Sequence, residues 1–267
     1  MAEAEARRSR LFRLLEAARS KGARFARVSE VDGLVERGAP AIYLKHDVHA
    51  LCLHSLTEFA RRERGLGILG SYFFMAPDHP LTRPCYTFAQ QARAMRLIRS
   101  MGHEIGLHID PFFLMDCLRM PLPRLLKGVL ARFRDEGLQL RVGNLHGNSG
   151  FRMLDRNGFE TSFDLFREVG RQPDYPVLAD LPEETARLIR SSRVSLHEHG
   201  FRHWADMPMW SARHGLVVTS YLSDNYLGRR GTLRILVHGD AVARYKLADR
   251  QPPHSLAPVA ARRYVPC

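Results

Sequence analysis

Apolar and polar positions along this chain follow two periods, and the switches between them mark out its elements. Leu11, Leu14, Leu15 and Ala18 recur at i, i+3, i+4 and i+7, so the first segment reads as an amphipathic helix stopped at Gly22. "AIYLKHD" (41–47) reads as a buried strand. A helix over roughly 50–64 follows, gathering Leu53, Leu56, Phe59 and Ala60 on one face before Gly65. "ILGSYFF" (68–74) is a second strand and "FAQQARAMRLIRSMG" (88–102) a second long helix closed by glycine. "EIGLHI" (104–109), "LPRLLKGVLARFRDEG" (122–137) and "LRVGNLHG" (140–147) continue as strand, helix, strand.

Such alternation is the signature of βαβ units and predicts an α/β protein with a parallel sheet. The second half is less regular: "GFETSFDLFREVG", "SSRVSLHEHG", "GLVVTSYLSDN" and "TLRILVHGD" supply further short strands between irregular loops. No internal repeat or low-complexity segment interrupts the chain. Its 267 residues suffice for one sizeable core, and α/β barrels of this length form single domains. The expected organisation is an N-terminal helical extension over 1–38, a barrel over 39–245 and a Pro-rich surface tail over 246–267.

Composition changes this picture little. Hydrophobic content of 45% and charged content of 25% are those of an ordinary globular protein. The net charge of +12 points to an anionic partner, but the arginines are spread over "FARRERG", "RAMRLIRS" and "LARFRDEG", as on solvated helix faces. Nucleic-acid binding would rest on charge alone, so none is expected. Cys52, Cys85, Cys117 and Cys267 form no CxxC pair, which fits reduced thiols and a cytoplasmic location. No stretch of 18 apolar residues occurs, and the first 22 residues carry no apolar signal core, so no transmembrane segment is expected.

The histidines are the chemical signal. Of 13 in the chain, His46 and His49 end the first predicted strand, His108 the third, His146 the fourth and His238 the last. The carboxyl ends of strands in parallel α/β barrels converge on one face, where active sites sit. Side chains two apart share a face, so Asp47 pairs with His49 and His108 with Asp110. Distant segments thus deliver imidazoles and carboxylates to one rim, as in a metal or acid–base site. His103 lies before its strand and reads as an anchor of the turn. "HEHGFRHW" (197–204) reads as a rim loop, and Trp204, Trp210, Tyr221 and Tyr226 as packing residues or sugar-stacking platforms.

"KHDVH", "GHEIGLH" some 55 residues later and "ILVHGD" near the C-terminus together resemble the polysaccharide deacetylase superfamily over roughly residues 40–240. The resemblance implies a distorted (β/α)7 barrel that removes acetyl groups from sugars with a divalent metal. It places Asp47 as general base, His108 as first metal histidine and His238 as general acid. "YLSDN" (221–225) resembles the stretch supporting the catalytic groups, so Asp224 would orient His238.

Two positions depart from the family pattern. Phe112 stands where the second metal histidine falls, and Val48 where the metal aspartate falls. Divergent branches read histidine–aspartate–valine–aspartate at this strand, which puts His49 in the metal-aspartate place. His146 would supply the missing imidazole, with Asp110 as a carboxylate alternative; neither belongs to the family motif. Three ligands and an open position lower the pKa of bound water and polarise an acyl carbonyl. Zinc is the first candidate; nickel, cobalt and iron suit the same ligands.

The expected function is therefore a cytoplasmic hydrolase that deacetylates a nucleotide- or lipid-linked saccharide during surface-polysaccharide assembly of O-antigen or capsule type. The alternative is a catalytically degenerate barrel that binds carbohydrate. A metal-dependent amidohydrolase of another barrel family fits less well, because it needs His-x-His where this strand has His-x-x-His.

Overall fold

The computed structural model describes residues 11–13, 15–17, 19–20, 22, 24–30, 42–48, 53–79, 82, 86–110, 120–145, 152–154, 160–162, 183–184, 193–195, 198–204, 217–220 and 234–237. The chain divides into two compact units. One comprises Met1–His108, Val142–Asn144 and His203–Ala248; the other comprises Ile109–Arg141, Leu145–Arg202 and Asp249–Cys267.

The first unit is built on an eight-stranded sheet. Its strands are β1 (Phe25–Ala26), β2 (Ile42–Val48), β3 (Ser71–Met75), β4 (Glu104–Ile109), β5 (Val142–Leu145), β9 (His203–Trp204), β10 (Val217–Ser220) and β11 (Arg234–Val237). The order is β11-β10-β2-β3-β4-β5-β9, with β1 also paired to β2. β2 runs parallel to β10 and to β3, and β3 parallel to β4, as the βαβ pattern predicts. The pairing of β10 with β11 is antiparallel, a departure from the uniformly parallel expectation. All five residues of β3 are buried, the mark of a central parallel strand covered on both faces.

Between the strands run α1 (Leu53–Gly65) and α2 (Phe88–Ser100). In α1 the inward stripe is Leu56, Phe59, Ala60 and Glu63. Thr87 opens α2 with a capping box: its side chain accepts from the Gln90 backbone, and the Gln90 side chain accepts from the Thr87 backbone. Gly102, at φ +94, makes the left-handed turn that leads from α2 to β4. The predicted N-terminal helix is present over residues 11–13, 15–17 and 19–20, and it is anchored to α1. The Phe12 ring lies 4.7 Å from that of Phe59, and the Arg62 guanidinium sits 4.1 Å above Phe12. The Arg19 guanidinium also donates to the Leu66 carbonyl, at the negative end of α1.

One face of the sheet rolls inward between β2 and β5. Three interstrand spacings would hold these strands about 14 Å apart in a flat sheet. Yet Asn144 of β5 donates to Asp47 of β2 at 2.6 Å. Two side chains reaching roughly 3.6 Å each on standard bond lengths therefore bring their Cα atoms within about 10 Å. Gly106 on β4 makes the curvature sterically feasible. A Cβ there would lie 2.5 Å from the Phe73 ring and 2.8 Å from the Val142 carbonyl oxygen.

The second unit contains α3 (Leu122–Asp135), whose apolar stripe buries Leu122, Leu125, Leu126, Val129, Leu130 and Phe133. It also holds a three-stranded sheet of β6 (Arg152–Leu154), β7 (Glu160–Ser162) and β8 (Arg193–Ser195), with β6 central.

Candidate functional site

Alternation along β2 sends consecutive polar residues to opposite faces, Lys45 and Asp47 to one and His46 to the other. Register carries the Asp47 row across the sheet. Asp47 pairs with Phe73, Phe73 with Gly106, and Met75 with His108. The rolled face then brings Asp47 and His108 together through Asn144, a residue that the sequence reading did not single out.

Asn144 Nδ2 donates to Asp47 Oδ1 at 2.6 Å, and Asn144 Oδ1 lies 2.8 Å from His108 Nδ1. His108 Nδ1 and Asp47 Oδ1 are 3.9 Å apart, and Lys45 Nζ is 3.5 Å from Asp47 Oδ2. All four side chains are buried, with 6% of Lys45, 4% of Asp47, 1% of His108 and none of Asn144 exposed. Burial on this scale demands paired charges and satisfied polar atoms, which the bridge supplies. Chemically, the group offers a carboxylate to take a proton, an imidazole to ligate or shuttle, and a cation to hold the carboxylate.

The other face of β2 carries a second buried cluster. Tyr72 donates its hydroxyl to Glu63 Oε2 at 2.6 Å. His103 Nδ1 accepts from the Gly70 amide at 3.0 Å, so its hydrogen is on Nε2, which donates to the Ala60 carbonyl at 2.9 Å. Burial lowers the His103 pKa, with the Glu63 charge opposing it. Burial, then the Glu63 charge and its hydrogen bond, push the Tyr72 phenol well above its usual range. His46 stacks on Tyr72, the ring centroids 4.3 Å apart, and its Nε2 lies 3.0 Å from Glu63 Oε1. That pair is close but poorly aligned: among the described residues, both of these atoms and His46 Nδ1 lack a hydrogen-bond partner.

The fates of the expected site residues follow. Asp47 and His108 meet on one face. His46 turns away from Asp47 and is removed from the rim, because strand alternation overrides sequence adjacency. His103 anchors the turn as expected, tying β3 and α1 together through backbone groups. Asp110 is buried just past the end of β4 and falls in the second unit. His49, His146, Asp224 and His238 lie outside the described residues, as do Phe112, Trp210, Tyr221 and Tyr226. Val48 is fully buried and shares the His46 face by alternation. In the 197–204 segment a turn spans residues 198–200, as expected of a loop, but His203–Trp204 form β9 and pair with β5 instead; burial lowers the His199 pKa.

Among the described residues no group of three His, Cys, Asp or Glu side chains is placed to hold a metal ion, and no helix is long and apolar enough to cross a membrane. His108 meets one requirement of a ligand. Metal-bound histidines give their other ring N–H to an oxygen acceptor, and here the Asn144 carboxamide fills that role. Comparison with protein-family models and with curated proteins returns no match.

Proposed function

We propose that the chain is a metal-dependent hydrolase that removes an acetyl group from an acetylated sugar, on a distorted (β/α)7 barrel. Support comes from the motif order "KHDVH", "GHEIGLH" and "ILVHGD", from the parallel pairing of β2, β3 and β4, and from the Asn144–Asp47 bond that draws β5 toward β2. The observation that carries the reading is the buried linkage of Asp47 to His108 through Asn144. Groups some 60 residues apart, matched to two separate motifs, share one hydrogen-bonded unit.

In this reading Asp47 accepts a proton from the attacking water, whose oxygen adds to the acetyl carbonyl. His238, oriented by Asp224, returns a proton to the leaving amine or alkoxide as its bond to the acyl carbon breaks. A bound divalent metal, zinc first, would acidify water and polarise the carbonyl. His49, His108, His146 and Asp110 are the ligand set to test by substitution. The +12 charge suits a nucleotide- or lipid-linked saccharide of surface-polysaccharide assembly, which would place the enzyme in the cytoplasm.

Acetate release from acetamido sugars, assayed with added divalent metal, tests the proposal. His108→Ala should abolish it, and full activity in that variant would refute the assignment. The second reading, a degenerate carbohydrate-binding barrel, draws on Val48, an apolar residue buried where the family has a metal aspartate. Stoichiometric metal in protein purified without chelator supports the hydrolase; its absence, together with retained sugar binding, supports the degenerate barrel.

A further inference from the structure

We propose that Asn144 is a positioning residue that fixes His108 in its Nδ1–H tautomer. The functional consequence rests on the hydrolase reading; the tautomer itself does not. Asparagine is disfavoured in strands, and a buried carboxamide costs free energy unless both of its ends are bonded. Asn144, with no exposed surface, has both ends engaged, 2.6 Å from Asp47 and 2.8 Å from His108.

The chemistry of the partners leaves one orientation. A carboxylate only accepts, so the amide NH2 must face Asp47. Its oxygen then faces His108, and a carboxamide oxygen also only accepts. His108 Nδ1 must therefore carry the hydrogen, and the lone pair of the neutral ring lies on Nε2. Turning the amide over would set its oxygen against a carboxylate oxygen at 2.6 Å. The Asp47 carboxylate thus dictates the amide, and the amide dictates which ring nitrogen of His108 ligates or exchanges protons.

The experiment is long-range ¹H–¹⁵N spectroscopy of the labelled full-length protein near neutral pH, with the His108 signal assigned by its loss in His108→Gln. The wild type should show a neutral ring protonated at Nδ1. Asn144→Ala and Asn144→Leu both remove the acceptor oxygen and should admit the Nε2–H form. If the leucine variant fails to fold, the wild-type and Asn144→Ala spectra decide. An Nε2–H ring in the wild type, or an unchanged Nδ1–H ring in folded Asn144→Leu or Asn144→Ala, overturns the proposal. In an active enzyme, Asn144→Leu should lower kcat roughly 10–100-fold, the range for removal of an outer-shell partner, with KM unchanged. An Asn144-dependent tautomer in a protein that releases no acetate would sustain this inference while removing the hydrolase reading. Asp47-dependent acetate release beside an Nε2–H His108 would do the reverse.

Discussion

The two faces of β2 each bury a cluster of ionisable side chains, but the clusters are held differently. On the His46 face, Glu63 rises from α1 to Tyr72, and His103 spends both ring nitrogens on backbone groups of Gly70 and Ala60. That cluster ties a helix to the sheet. On the Asp47 face, Lys45, Asp47, Asn144 and His108 all project from strands and bond to one another. A group committed to backbone partners cannot readily exchange a proton with a ligand. One whose partners are side chains at strand ends is arranged to do so. Burial and titratable chemistry are common to both faces; the His46 cluster joins α1 to the sheet and includes backbone partners, whereas the Asp47 cluster links side chains of separate strands.

Substitution should separate the faces cleanly. The largest effect is expected for Asp47→Asn, which keeps the shape and removes the proton acceptor. Acetate release per folded molecule should fall about 10²–10⁴-fold, and the thermal midpoint should fall as well, because the buried Lys45 loses its counter-charge. Substantial loss of fold with retained specific activity would reverse the roles assigned here. Glu63→Ala is the mirror experiment. It strands the Tyr72 hydroxyl in a dry interior, and should cost about 3 kcal/mol, roughly 6–12 °C in Tm. Activity per folded molecule should be retained. Equal loss of activity and stability in Glu63→Ala would erase the distinction between the faces.

Gly106→Ala probes the curvature on which the Asp47 face depends. The added methyl meets the Phe73 ring at 2.5 Å and the Val142 carbonyl oxygen at 2.8 Å, and the oxygen belongs to backbone that yields poorly. A destabilisation of about 1–3 kcal/mol is expected, read from the urea midpoint. Because β4 must then move from β5, the Asp47–Asn144 bond should weaken as well. An unchanged midpoint would show that the sheet does not need this close approach.

The α/β alternation of the described residues was legible in the sequence, and the reason is periodicity. The strand read at 41–47 is Ile42–Val48, the helix read at 88–102 is Phe88–Ser100, and the strand at 104–109 is Glu104–Ile109. Long segments with strong apolar periods leave little choice. The two-residue β1 and the antiparallel run of β11 were not legible, since pairing direction is a tertiary property. At the site, Asp47 and His108 stood out as titratable groups at the ends of apolar strands. His46 was placed with them by adjacency, though period-two alternation already sent it the other way. Asn144 is not ionisable; its sequence signal is a carboxamide inside "VGNL", where strands disfavour one. Glu63 was hidden within "FARRERG", read as a solvated face, although it stands seven residues after Leu56 on the same stripe.

The smallest effect expected is the pH dependence of stability that His103, on the His46 face, contributes. His103 accepts the Gly70 amide hydrogen on Nδ1, so the folded protein needs this ring neutral. Burial accordingly lowers its pKa from the ordinary 6.5, against the raising influence of Glu63 and of the hydrogen bond to Ala60, with further lowering from His46 and Arg64. With the folded value below the unfolded one, the contribution is complete above about pH 6.5. It is lost as pH falls from there through the folded value, because only the unfolded chain takes up the proton. One proton sets an upper limit of about 1.4 kcal/mol per pH unit. Urea unfolding at pH 7.5 and 5.5 should therefore show a greater loss of stability for the wild type than for His103→Gln. The comparison between variants isolates this group, since His199, whose pKa burial also lowers, contributes equally to both. Parallel losses in the two proteins would mean that His103 already tolerates its charge. The cluster would then be less dry than its backbone bonds imply, and the contrast between the two faces would narrow.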